Sequence, residues 1–151
     1  MTVELVLLAI LLAPWLVTLA LVRKPGDPRV RLAGRLGLAL AFAAFASAHF
    51  LSADSLATML PPWAPEPGRV IFITGVMEGL IALGLLAPWT RRYAGLAAIL
   101  VLVCFFPANV YAAVTRADVI GHVQGPAYLL VRAPLQVLLI GWAWWFAVRR
   151  G

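Results

Sequence analysis

Apolar residues in this chain run together in five long stretches, Leu5 to Val22, Leu32 to Leu51, Val70 to Trp89, Tyr93 to Val114 and Leu129 to Val148. A bilayer's hydrocarbon core takes about 20 apolar residues per helix, so each stretch predicts one transmembrane helix. The pattern predicts an all-α, polytopic membrane helix bundle of five spans, with little chain left for a soluble domain.

Composition agrees: 64% of the 151 residues are hydrophobic and 12% are charged, too few for the surface of a soluble domain of this length. The formal net charge of +6 would suit a nucleic-acid binder, but the positions of the basic residues point elsewhere. Arg23, Lys24, Arg29, Arg31, Arg35, Arg91, Arg92, Arg149 and Arg150 fall on one side of the predicted spans, and Arg69, Arg116 and Arg132 on the other. Nine against three on the positive-inside rule puts the N-terminus outside and the C-terminus in the cytoplasm. The partner this implies is the lipid bilayer and not nucleic acid.

The first stretch has Glu4 where a signal peptide carries a basic residue, and no A-x-A pattern precedes Arg23, so it reads as a retained helix. Pro14 and Trp15 inside it suit a kinked, mid-helix packing position. The single cysteine, Cys104, excludes an internal disulfide and is expected to pack. No Gly-rich phosphate loop, zinc spacing or nucleophile elbow is present, so the chain has no self-contained catalytic motif.

Between the second and third stretches lies SADSLATMLPPWAPEPG, with four prolines around Trp63. Ser55 to Leu60 is expected to form a turn or two of interfacial helix. Proline fixes φ and moves its predecessor out of the α region, so PPWAPEP is expected to be an extended lid on the outer surface, with Trp63 at headgroup level.

Polar groups inside spans are expensive in lipid, and the predicted spans hold several, of which His49, Glu78, Asn109, Arg132 and Gln136 stand out. At about 1.5 Å per residue, Glu78 and Gln136 lie roughly 12 Å below the outer boundary, Asn109 roughly 8 Å, Arg132 roughly 5 Å and His49 roughly 3 Å. All five share the outer half, as a polar pocket between helices requires. A carboxylate at the depth of Glu78 has to pair, coordinate or hold a proton, and Arg132 is its expected partner. Two readings stay open, a satisfied interhelical network and a ligand or proton site. His49 and His122, with Glu78, could also be arranged around a metal, but the spacing does not favour it and no metal site is expected.

Asn109 follows Pro107 in FFPANVY, where proline is expected to open the helix near Val103 and leave Asn109 on a pocket wall. Gly75 and Gly79 beside Glu78 have the small-xxx-small spacing of close helix packing. Phe105 and Phe106 read as packing residues, and Trp142, Trp144 and Trp145 before Arg149 and Arg150 read as an interfacial aromatic belt.

The segments AFASAHF, PPWAPEP, TGVMEGLIALGLLAPWTRR, FFPANVYAAV and RAPLQVLLIGWAWW, in this order over Arg31 to Val148, resemble the DoxX-like membrane proteins. The resemblance implies a four-helix core over residues 31–148, with a histidine closing the first core helix (His49), G-x-x-E in the next (Gly75 to Glu78) and P-A-N in the third (Pro107 to Asn109). Residues 5–22 are then an additional N-terminal transmembrane helix. The resemblance further implies a membrane component of a redox system, at most a subunit of a quinone-linked oxidoreductase, in a bacterial inner membrane.

Two functions follow as expectations. In one, His49, Glu78, Asn109, Arg132 and Gln136 line an outer-leaflet pocket for a quinone or similar lipophilic molecule; no intrinsic cofactor is expected, and a redox partner protein supplies electrons. In the other, the same network only fixes the packing of an accessory or scaffold subunit docked on a larger membrane complex. Small-solute transport ranks below both, because neither an inverted repeat nor a polar path through the inner half is visible.

Overall fold

The computed structural model describes residues 3–115 and 127–149, and side chains outside 127–128 within them. His122, Arg116, Asp118 and Arg150 lie outside the described residues. The architecture is all-helical: α1 (Val3–Val22), α2 (Pro28–Leu51), the short α3 (Ala53–Ala57), α4 (Pro67–Leu86), α5 (Arg91–Thr115) and α6 (Ala127–Ala143). The last helix continues as a π-helical turn over Trp144–Val148, closed by Arg149 N–H donating to the Trp144 carbonyl at 2.8 Å. Five of these helices, counting α6 with its π turn, are long and apolar enough to cross a membrane. The protein is therefore a membrane helix bundle.

Local chemistry sets the helix ends. Arg23 takes a left-handed φ of 55° and its N–H returns to the Leu19 carbonyl at 2.7 Å, ending α1. Asp27 caps α2 by accepting from Arg29 N–H at 2.8 Å, and Pro28 occupies the first helical position. Thr90 donates to the Gly84 carbonyl at 2.8 Å and so satisfies an acceptor in the last turn of α4.

Helices α2, α4, α5 and α6 form a four-helix ring in which α2 packs on α4, α4 on α5, α5 on α6, and α6 with its π turn back on α2. The added helix α1 lies outside the ring on α2, touching α6. Half of the α2 span is buried against 11% of α1, so α2 is the hub and α1 a peripheral helix. One apolar core, including Leu11, Leu38, Phe42, Ile81, Leu85, Ala98 and Leu139, runs through all five.

Several sequence expectations are corrected here. Pro61 to Ala64 forms a turn, with Ala64 N–H donating to the Pro61 carbonyl at 2.9 Å, instead of an extended lid. Cys104 is exposed on α5, because the core face of this helix is taken by Val101, Leu102 and Asn109. α5 runs as one helix of 25 residues through Pro107, so the missing bond to Val103 does not end it. Trp142 is not a belt residue: its indole Nε1 donates to the Gly34 carbonyl at 2.8 Å and its ring meets Trp15 edge-on at 5.5 Å. Trp144 and Trp145 remain exposed, as interfacial residues would be.

Candidate functional site

The bundle is not filled at the end opposite its basic segments. A cleft of about 280 Å³ opens there, with walls from every helix. Val3, Val6, Leu7 and Ile10 of α1 form one side; Phe45 and His49 of α2, Ile71, Thr74 and Glu78 of α4, Phe105 and Asn109 of α5, and Arg132 of α6 form the rest. Leu56, Met59 and Leu60 cover it, so the lid is α3 and the turn after it, whereas the prolines and the exposed Trp63 stand clear. Four of the five polar residues singled out from the sequence line this cleft, and the fifth, Gln136, is hydrogen-bonded to one of them.

Glu78 is buried, and its Oε2 lies 2.9 Å from Nδ1 of His49. The same Nδ1 lies 3.0 Å from the Phe45 carbonyl. A carbonyl only accepts, so Nδ1 carries a hydrogen. That hydrogen is directed at Phe45, and Glu78 Oε2 sits beside it as an ion-pair contact out of line with the N–H. Nε2 is then the ring nitrogen that gains and loses a proton.

The expected Glu78–Arg132 pair does not form, because α4 packs on α2 and α5 while α6 stands diagonally across the ring. The Arg132 guanidinium instead lies 5.6 Å from the centre of the Phe45 ring, within cation–π range. Its Nε is buried without a hydrogen-bond partner.

Deeper in the site, Asn109 Nδ2 reaches Gln136 Oε1 at 3.5 Å, and Gln136 Nε2 donates to the Leu102 carbonyl at 2.8 Å. Leu102 lies five residues before Pro107, so Gln136 donates to the carbonyl next to that of Val103, the one the proline leaves free. Arg132 and Gln136, four residues apart, share one face of α6, which carries both groups to the site.

Glycine makes the central pair possible. A Cβ on Gly75 would stand 2.7 Å from His49 Cβ, so only hydrogen at that position lets α4 approach α2 closely enough for Glu78 to meet His49. A Cβ on Gly37 would run into the Leu11 carbonyl, which shows how tightly α1 is seated on α2.

Residues 38–147 match the family described as Domain of unknown function (DUF8561). The chain belongs to this family. The DUF8561 region begins within α2 and ends in the π turn, so it contains all five polar residues of the site, while α1 lies ahead of it. No curated protein and no solved structure matches the chain significantly.

Sequence reasoning identified the polar residues but missed the apolar wall that α1 adds. Its signal was the run Val3, Val6, Leu7, Ile10, spaced as one helical face.

Proposed function

We propose that this DUF8561 protein binds a quinone or a similar lipophilic ring with hydrogen-bond acceptors in the cleft between α1 and the four-helix core. In this reading it is a membrane component of a redox system, as its resemblance to DoxX-like proteins implies. The observation that carries the reading is one cleft joining apolar walls to the unpaired Nε of Arg132 and the His49–Glu78 pair. An apolar cavity of about 150 Å³ takes a benzene ring; 280 Å³ therefore holds a larger ring. Arg132 and His49 donate to ring carbonyls, and apolar residues hold the ring and the start of its tail. Reduction of a quinone to a quinol takes two electrons and two protons; a partner protein with a redox centre delivers the electrons, and Glu78 and His49 relay the protons. In this reading the pocket lies in the outer leaflet of a bacterial inner membrane with the C-terminus in the cytoplasm, an orientation that the one-sided basic segments support.

The test is mass spectrometry of lipophilic molecules co-purifying with the wild type and with Glu78→Gln, with thermal stability measured alongside. Quinone enriched in the wild type and lost from a folded variant supports binding.

One observation favours a second reading, an accessory or scaffold subunit. Glu78 with His49, and Asn109 with Gln136, already engage one another within the chain, as a purely structural network would. No enriched lipophile, together with a marked loss of stability in Glu78→Gln, would favour it.

A further inference from the structure

The opposite end of the bundle holds a second unsatisfied group. Gly34 of α2 lies against the Phe146 ring, with a built Cβ 2.5 Å from Cδ1. Gly95 of α5 is held the same way, a built Cβ falling 2.7 Å from Ala147 Cβ. These contacts clamp the starts of α2 and α5 onto the π turn. They bring Arg35, next to Gly34, towards Arg91, one helical turn before Gly95. Nε and Nη1 of Arg35 are both buried without a hydrogen-bond partner, and the like charge of Arg91 is near enough to act on it. Among the described residues Arg35 has no carboxylate partner: Glu78 lies against His49 and Glu66 against Arg69, Asp27 caps α2, and Glu4 and Asp54 belong to the cleft end of the bundle.

A guanidinium with two buried, unused donors beside a second basic side chain is costly unless an anion joins them. Guanidinium donors match the oxygens of a phosphate group, and Arg35, two turns into α2, and Arg91, the first residue of α5, lie at the basic end of the bundle where a headgroup can reach them. We propose that Arg35 and Arg91 bind the phosphate of an acidic phospholipid in the leaflet on the basic side. The site is separate from the cleft, and its failure would leave the ligand reading untouched.

The test titrates phosphatidylglycerol, phosphatidylcholine and inorganic phosphate against the detergent-solubilised full chain, read by native mass spectrometry and by melting temperature. Phosphatidylglycerol is expected to be retained and to stabilise the wild type. Its affinity should fall about fivefold for Arg35→Gln and for Arg91→Gln, the effect of withdrawing one basic side chain from an anionic headgroup. Arg29→Gln, at an exposed position on the same side, should lower it less than either. Arg91→Gln, at the first position of α5, keeps the test decisive if Arg35→Gln does not fold. Equal binding of phosphatidylcholine, or unchanged phosphatidylglycerol affinity in a folded arginine variant, overturns the site. Displacement of the lipid by inorganic phosphate would make it a free-phosphate site and overturn the lipid assignment.

Discussion

Glu78 reaches His49 at 2.9 Å because Gly75, one turn earlier on α4, presents no side chain to the His49 Cβ. The pair at the centre of the cleft thus depends on a backbone approach that only glycine allows. Gly75→Ala should force α2 and α4 apart, at a cost of about 1–3 kcal/mol. Thermal denaturation in detergent checks this; unchanged stability would mean that the helices can separate freely.

The pair itself should show measurable coupling. In a double-mutant cycle with His49→Gln and Glu78→Gln, the interaction energy should be about 0.6 kcal/mol and at most about 1.7 kcal/mol, the range of polar pairs inside membranes. Zero coupling by chemical unfolding in mixed micelles would mean that the two groups stand together without helping one another.

Gln136→Leu removes the donor to the Leu102 carbonyl and the partner of Asn109 Nδ2. The expected loss is about 1–2 kcal/mol, seen as a lower melting temperature. A variant as stable as the wild type would show that these buried groups find other partners.

Cys104 is the one cysteine and is exposed on the outer face of α5. A membrane-permeant maleimide should label it in the bilayer, while a charged maleimide should label it slowly. Fast labelling by the charged reagent would place this face in water. In a Cys104→Ala background, Leu11→Cys should be protected by α2; adding Gly37→Leu, which strikes the Leu11 carbonyl, should expose it by unseating α1.

Much of the fold was legible because length and apolarity alone decide a span. His49, Glu78, Asn109, Arg132 and Gln136 were legible as a set because burying polar groups in lipid is expensive wherever they occur. Their pairing was not legible. It depends on helix rotation and on the order of helices around the ring, which places α2 beside α4 and α6 across from it. That order gives Glu78 to His49 and leaves Arg132 over Phe45. The lid was misread for a related reason: proline restricts φ but does not forbid a turn, and Pro61 to Ala64 makes one. Likewise, Trp142 fits an aromatic belt by position, yet the carbonyl it bonds belongs to a residue far away in sequence.

Filling the cleft without touching its polar groups separates binding from packing most directly. Ala48 lines the cavity, and Ala48→Leu places three more carbons there while leaving His49 and Glu78 intact. The decisive measurement is the quinone content per protein molecule of the purified wild type and of Ala48→Leu, by mass spectrometry, with melting temperature recorded for both. The account predicts quinone in the wild type and its loss from an equally stable Ala48→Leu. Equal quinone content in the two proteins, or none in the wild type, would contradict it.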